Sequence, residues 1–305
     1  MHCPRLSELP PPPSGTTGWP WTEETVVAPE MLAGPHERVT IVTPSFNSVR
    51  YLEETIRSVL LQGYPDLEYI IMDAGSTDGA LDVIWKYEPW IAAWVSEKDN
   101  GYADAINKGF ARASGTIRAW LPASDTYCPA ALFAANRHLR AGRADLVFGE
   151  SHFVDEHGQD LGVSRTGTQN LRHLMIYGRG TPVQCATFWR KEIHDKVGIF
   201  NSSLRYAADR DWFLRLSVAG RCQWMPEITS RYRQHSGQLS SDISDMLREG
   251  TNAWHEVLKA NHISRFQVIC GSLLFVPIMR YRSGGLGKLF SIPRLKSFTN
   301  LLFRC

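Results

Sequence analysis

An excess of one charge is the first thing this chain lacks. Its 305 residues carry 33 Lys and Arg against 31 Asp and Glu, a formal net charge of +2, which leaves no broad field for nucleic acid. Paired cysteines are missing too. Cys3, Cys128, Cys185, Cys222, Cys270 and Cys305 are scattered with no C-x-x-C spacing, which argues against a zinc site or a disulfide framework and favours a reducing compartment. The N-terminus has one Arg before Ser7-Glu8 and a proline run, without the apolar stretch of a signal peptide. No run reaches the roughly 20 apolar residues of a spanning helix. Phe266 to Met279 comes nearest, interrupted by Gln267, Gly271 and Pro277, and Arg280, Arg282 and Lys288 behind it suit an interfacial anchor. No Gly-rich phosphate loop with a basic residue follows the first β-branched run, which speaks against a nucleotidyltransferase. The expectation is a cytoplasmic enzyme, with peripheral contact at the inner face of the cytoplasmic membrane as an added option.

What is present is ordinary in bulk and ordered in detail. The chain is 43% hydrophobic and long enough for one large domain or two. Residues 1–36 are rich in Pro, Gly and Thr, with Pro10 to Pro13 unbroken, so this arm forms neither a regular helix nor a central strand. Its apolar Trp19-Pro20-Trp21 is expected to pack on a domain surface. Val39-Thr40-Ile41-Val42-Thr43 then reads as a buried parallel strand, stopping at Pro44-Ser45-Phe46-Asn47. Asn47 or Ser48 is placed to cap the next helix, whose Leu52, Ile56, Val59 and Leu60 share a face. Leu67 to Met72 is a second such strand. It leads into the polar loop Asp73-Ala74-Gly75-Ser76-Thr77-Asp78-Gly79 and a helix with Leu81, Val83, Ile84 and Tyr87. Strand and helix alternating at this spacing predict right-handed crossovers and an α/β fold with a mostly parallel sheet.

Trp90 to Val95 is a third apolar run, and Tyr102 to Ala113 reads as a helix. Ala119 to Tyr127 reads as a strand ending in an acidic turn, ahead of Pro129, which suits the first turn of a helix. A carboxylate at the carboxyl end of such a strand is where open α/β sheets place ligands. Asp125 is therefore a candidate for a metal or diphosphate site, with a helix cap as the alternative use. Beyond Glu150 the pattern loosens, with a hairpin turn at Asp155-Glu156-His157-Gly158 and a loop-rich stretch to Gly180. Gln184 to Trp189 is strand-like, and Asp209 and Asp211 sit just ahead of an aromatic helical stripe. Residues 242–260 form an amphipathic helix.

Together these stretches resemble the family-2 inverting glycosyltransferases of the GT-A fold, over roughly residues 39–240. The resemblance rests on Val42 to Asn47, Glu54 to Leu60 with Gln62-Gly63-Tyr64-Pro65, Asp73 to Gly79, Ala105-Ile106-Asn107-Lys108-Gly109, and Trp120 to Tyr127, in the family's order. It implies an N-terminal arm (1–36), a GT-A domain (37–240) with a nucleotide-binding half (37–127) and an acceptor half (128–240), and a helical extension (241–305). It implies transfer from a nucleotide-sugar donor, UDP-linked, to a saccharide or lipid-linked acceptor in envelope or exopolysaccharide assembly. Pro44, Ser45, Asn47, Asp73 and Ser76 would hold the nucleotide, with Asp73 accepting an imide N–H, and Asn107, Lys108 and Ser124 would border it. A hard divalent ion, Mn2+ or Mg2+, would neutralise the diphosphate through Asp125 and His235. The family carries an acid where this chain has Ser124. Asp209 matches the general base, with Asp211 as rival; a charge in a helix's first turn is the plainer use of Asp211. A non-catalytic relative that binds nucleotide or glycan in an assembly complex is the competing reading, motivated by Ser124.

Overall fold

β1 (Val39–Ser45) is buried along nearly its whole length, as a β-branched run flanked by two other strands must be. The computed structural model describes residues 3–142, 144–164, 181–239 and 243–264, with 266 and 268. The expected loops at 165–180 and the apolar and basic residues beyond 268 lie outside them. After β1 come α1 (Val49–Leu60), β2 (Leu67–Asp73), α2 (Ala80–Tyr87), β3 (Ala93–Ser96), α3 (Tyr102–Phe110) and β4 (Ile117–Trp120). β1 pairs in parallel with β2 and β4, and β2 with β3, so the spatial order is β3-β2-β1-β4. The order therefore reverses between β1 and β4, which opens a crevice at their carboxyl ends. Gly109 of α3 permits this close packing, since a Cβ there would lie 2.4 Å from Val42 Cγ1.

The second half holds β5 (Thr126–Tyr127), α4 (Ala131–Arg140), β6 (Leu146–Val154), β7 (Asp160–Val163), β8 (Thr187–Arg190), α5 (Lys191–Val197), α6 (Ala208–Ala219), β9 (Cys222–Arg233) and α7 (Ile243–Ala260). β8 lies antiparallel between β4 and β6, β9 runs parallel to β6 and antiparallel to β5, and β7 forms a hairpin with β6. The sheet is thus parallel in its first half and mixed in its second. β9 carries Pro226 inside an irregularity, where the register passes from Phe148↔Trp224 to Glu150↔Ile228. A bulge is where a strand tolerates proline.

The cap of α1 differs from the expectation. Ser48 makes no side-chain cap bond; the Val49 N–H is met instead by Asp78 Oδ2 at 2.8 Å, while Asp78 Oδ1 takes the Ala80 N–H at 3.0 Å. One carboxylate from the β2–α2 loop serves two helix starts. Among its described residues the arm contains two short 3-10 turns, Leu6–Glu8 and Pro29–Leu32, and no longer helix. It is fastened by Arg57 of α1, whose fully buried guanidinium donates to the carbonyls of Pro10 (2.9 Å), Pro20 (3.0 Å) and Trp21 (2.8 Å) and to the Tyr87 hydroxyl (3.0 Å). A buried charge persists only with its donors met in this way. Residues to Asn261 form one compact unit, within which α7 buries Ala253, Trp254, Val257 and Leu258.

The turn between β4 and β5 is closed by Thr55 and Ser58 of α1 and by Gln62 just past its end. Thr55 donates to the Asp125 carbonyl (2.8 Å), Ser58 Oγ accepts the Tyr127 N–H (3.1 Å), and Gln62 donates to the Cys128 carbonyl (3.0 Å). The Asp125 side chain, 1% exposed, accepts the Arg233 N–H on Oδ1 at 2.9 Å, joining the turn to the end of β9. Its Oδ2 is buried without a hydrogen-bond partner among the described residues. Burial pushes this carboxyl up to about 7, against the pull of the Arg233 N–H and the Cys185 thiol. Unfolded chain releases this proton near 3.8 and the fold retains it to about 7, so the proton-linked stability is whole below about pH 4 and is lost as pH rises through about 7. Unfolding free energies of wild type and Asp125→Asn should therefore diverge with pH across that window, wild type losing ground as pH rises. A difference that stays flat would mean an ionised Asp125 in the fold.

Candidate active site

The crevice at the strand ends has three walls, and the first is the corner between β1 and β2. Asp73, 2% exposed at the end of β2, accepts the N–H groups of Gly75 (3.0 Å) and Ser76 (2.9 Å) and the Ser96 hydroxyl (2.7 Å) on Oδ2. Its Oδ1 takes one bond, from Ser76 Oγ at 2.5 Å. Asn47, at φ 47, donates its N–H to Ser76 Oγ (2.8 Å) and accepts the Thr77 N–H on Oδ1 (3.0 Å). The left-handed backbone that Asn tolerates turns the loop after β1 toward the loop after β2. Ser45 passes its carbonyl to the Ala74 N–H at 2.8 Å, and its hydroxyl is buried with no partner among the described residues. Pro44, Ser45, Asn47, Asp73 and Ser76 are thus one hydrogen-bonded corner. Much of Asp73's acceptor capacity organises its own loop.

The second wall is the turn after β4. The buried Asp125 carboxylate accepts the Arg233 N–H on Oδ1 and lies beside Cys185, while its Oδ2 has no hydrogen-bond partner among the described residues. The half-buried neighbour Ser124 gives its carbonyl to Arg233 Nε at 3.1 Å. Arg233 is itself 4% exposed, with Nη2 on Glu54 Oε2 at 2.6 Å, Nη1 on the Asp155 carbonyl at 3.3 Å, and its guanidinium 4.8 Å above the Tyr51 ring. His235 lies with its ring 5.2 Å from Tyr51. Burial, then the charges of Arg233 and Arg50, lower its imidazole below the ordinary value. Among the described residues no three His, Cys, Asp or Glu side chains gather as a metal cage. A serine hydroxyl and one imidazole are a poor donor set for a hard divalent ion, which favours carboxylates. The residues here do not fit Mn2+ or Mg2+ held by protein ligands alone.

The third wall is the start of α6. Asp209, half-buried, donates its N–H to the Tyr102 hydroxyl at 3.2 Å, and its Oδ1 accepts the Arg210 N–H at 2.7 Å. Burial raises its carboxyl, opposed by the Arg210 N–H. Tyr102 stacks on Trp120 at 5.9 Å, and the Trp120 indole N–H is buried with no partner among the described residues. Asp211 is 8% exposed and engaged, its Oδ2 accepting Arg215 Nε at 2.9 Å and Nη2 at 2.8 Å. Asn107 is also engaged: Nδ2 donates to the Phe200 carbonyl (2.8 Å) and Oδ1 accepts the Phe200 N–H (2.9 Å). It holds the chain leading to α6 with one bond at each end of its amide. Lys108 is paired with Glu97 (3.2 Å) and Asp104 (3.4 Å).

Sequence reasoning passed over Tyr51, Glu54, Tyr102 and Arg233. The Arg233–Glu54 pair spans 179 positions, so no local pattern could mark it. Asp211 was readable, because Arg215 four residues on is the spacing of a helical ion pair.

The Glycosyl transferase family 2 model matches residues 40–200, more than half of the chain. The uncharacterized glycosyltransferase Rv1514c of Mycobacterium tuberculosis is 30% identical over 185 residues, covering 59% of this chain and 69% of that one. S. aureus TarS 1–349, solved in complex with UDP-GlcNAc, superposes with a TM-score of 0.60 at 18% identity, over 72% of this chain and 66% of that one. Mannosyltransferase PcManGT from Pyrobaculum calidifontis, solved with GDP-Man and Mn2+, gives 0.55 at 18% identity, over 92% and 82%. These likenesses establish a GT-A fold, and the matched segment contains the whole strand reversal from β1 to β4 together with the second-half strands up to β8. The chain is a glycosyltransferase and belongs to glycosyl transferase family 2.

Proposed function

We propose that this glycosyltransferase moves a sugar from a UDP-linked donor to a hydroxyl of a saccharide or lipid-linked acceptor, in envelope or exopolysaccharide assembly, with inversion at the anomeric carbon. The carrying observation is the contrast between two acids two residues apart: Asp209 makes no ion pair among the described residues and has a raised carboxyl, with the Arg210 charge opposing the rise only in part, whereas Asp211 is ion-paired with Arg215. A carboxylate held nearer neutrality is suited to take a proton. Asp209 removes the acceptor's hydroxyl proton as that oxygen bonds to the anomeric carbon. The bond from that carbon to the diphosphate oxygen breaks with its electron pair on the leaving group, and one displacement inverts the centre. The β1–β2 corner takes the nucleotide, with Asp73 Oδ1, which receives a single bond, accepting the imide N–H.

The neighbours solved with UDP-GlcNAc and with GDP-Man support a nucleoside diphosphate donor and differ in the base. A divalent ion, where one acts, would supply Lewis-acid neutralisation of the diphosphate; with Ser124 in place of an acid, the diphosphate itself must contribute most of its ligands. No helix among the described residues is long and apolar enough to cross a membrane. After Glu256 the sequence has no Asp or Glu while Lys and Arg recur to Arg304, which supports contact with an anionic membrane surface.

Three outcomes check this reading. In a screen of UDP-sugars reading UDP release, Asp209→Asn should lose turnover by about 100-fold or more with donor binding kept, and Asp211→Asn should lose far less. The reverse ranking would transfer the base to Asp211, and donor binding without turnover for every sugar would favour the non-catalytic reading. By calorimetry the free wild-type protein should bind Mn2+ weakly and Ser124→Asp about ten-fold more tightly; equal affinities would place the ion on other ligands. The full chain should sediment with phosphatidylglycerol vesicles and not with phosphatidylcholine vesicles, and equal sedimentation with both would remove the anionic-surface proposal.

A further inference from the structure

The chain between α5 and α6 delivers Asp209, and it is pinned at both ends by side chains from other elements. Near its start Asn107 of α3 clamps both backbone groups of Phe200. At its end Glu249 of α7 receives three consecutive backbone N–H groups: Arg205 on Oε1 at 2.8 Å, and Tyr206 (2.5 Å) and Ala207 (2.7 Å) on Oε2. Successive N–H groups converging on one point form a concavity that attracts an anion. Here the N-terminal end of α6 adds its partial positive charge. Glu249 fills that concavity from within the same chain. The next residue lets the helices approach, since a Cβ at Gly250 would lie 3.1 Å from Arg210 Cδ and 3.6 Å from Ala207 Cβ.

We infer that Glu249 is a positioning residue for Asp209: its carboxylate fixes the Arg205–Ala207 backbone and thereby the direction in which the Asp209 side chain leaves α6. The inference rests on Asp209 as the base. α6 with Asp209 and α7 with Glu249 both lie C-terminal to the stretch matched to the family, residues 40–200, so base and clamp come from the same C-terminal portion of the chain. Asp209 then has two attachments, the Tyr102 hydroxyl from α3 on its own N–H and Glu249 on the turn just before it. Tyr102, Arg210 and Glu249 are the titratable and charged groups that these contacts place around the turn. Without Glu249 the three N–H groups need water, which enters beside Asp209 and relieves the burial that raises its carboxyl. The nucleotide corner stands on another wall and stays as it was.

The test uses the full chain with Glu249→Ala and Glu249→Gln. Amide exchange across 205–211 should quicken about ten-fold or more in the Ala variant, with the peptides covering 39–45 and 117–120 unchanged. Gln, which keeps one carbonyl acceptor, should be intermediate. The 13C-observed titration of the Asp209 carboxyl should move down toward the ordinary carboxylate range in Glu249→Ala. Unchanged exchange at 205–211, quickening shared equally by all three stretches, or an unmoved Asp209 titration would overturn the inference. Turnover of Asp209→Asn reports separately on the base: if it persists, that reading fails, whatever the exchange pattern says of Glu249.

Discussion

A largely buried turn has to satisfy its backbone groups without water, and the rest of the site depends on how the turn after β4 does so. Thr55 and Ser58 of α1 and Gln62, two residues past its end, supply the partners. Thr55 and Ser58 are polar on a helix otherwise packed with Leu52, Ile56 and Val59. The arm then crosses the back of the same helix, held by Arg57, and the Trp19 indole donates to the Tyr127 carbonyl at 2.8 Å. One helix therefore carries three tasks: packing on the sheet, closing the turn, and fastening the arm. A substitution at Thr55 or Ser58 would disturb the turn before it disturbed the core.

Arg233 extends the same logic to the second half of the fold. Its guanidinium reaches Glu54 of α1, the Ser124 carbonyl and the Asp155 carbonyl of the β6–β7 hairpin, while its N–H occupies Asp125. Charge-assisted bonds of this kind fix geometry more firmly than neutral ones. The end of β9, which carries the chain onward to His235, is in this way registered against the crevice although it is remote in sequence. Glu249 does for α6 what Arg233 does for β9: a charged side chain from a distant element meets backbone groups at the exact start or end of a functional element.

How far this was legible in the sequence follows from the range of each interaction. β1 to β4 and their helices are fixed by periodicity and by residues a few places apart, so the alternation alone indicates a parallel half-sheet with its ligand edge. β9 was not anticipated, because Pro226 breaks the pattern and the register slips there against Gly149, where a Cβ would lie 2.7 Å from the Glu227 carbonyl. At the site, the acids were visible and their orientations were not. Asp209 and Asp211 look alike until Arg215 is counted, and nothing near Asn107 in the sequence tells that its amide also holds Phe200, 93 positions on.

Asp125 and Ser124 carry this point to its consequence. Asp125 is buried, its side chain on the Arg233 N–H beside Cys185 and its carbonyl on Thr55, and burial pushes its carboxyl up to about 7. Ser124 beside it is half-buried and gives its carbonyl to Arg233. Asp125 is therefore one of the ties that close its own turn, whatever it does toward a ligand. The catalytic question passes to the walls on either side, to the hydrogen-bonded corner of β1 and β2 and to the raised carboxyl of Asp209, which follows a backbone turn held by Glu249 of α7.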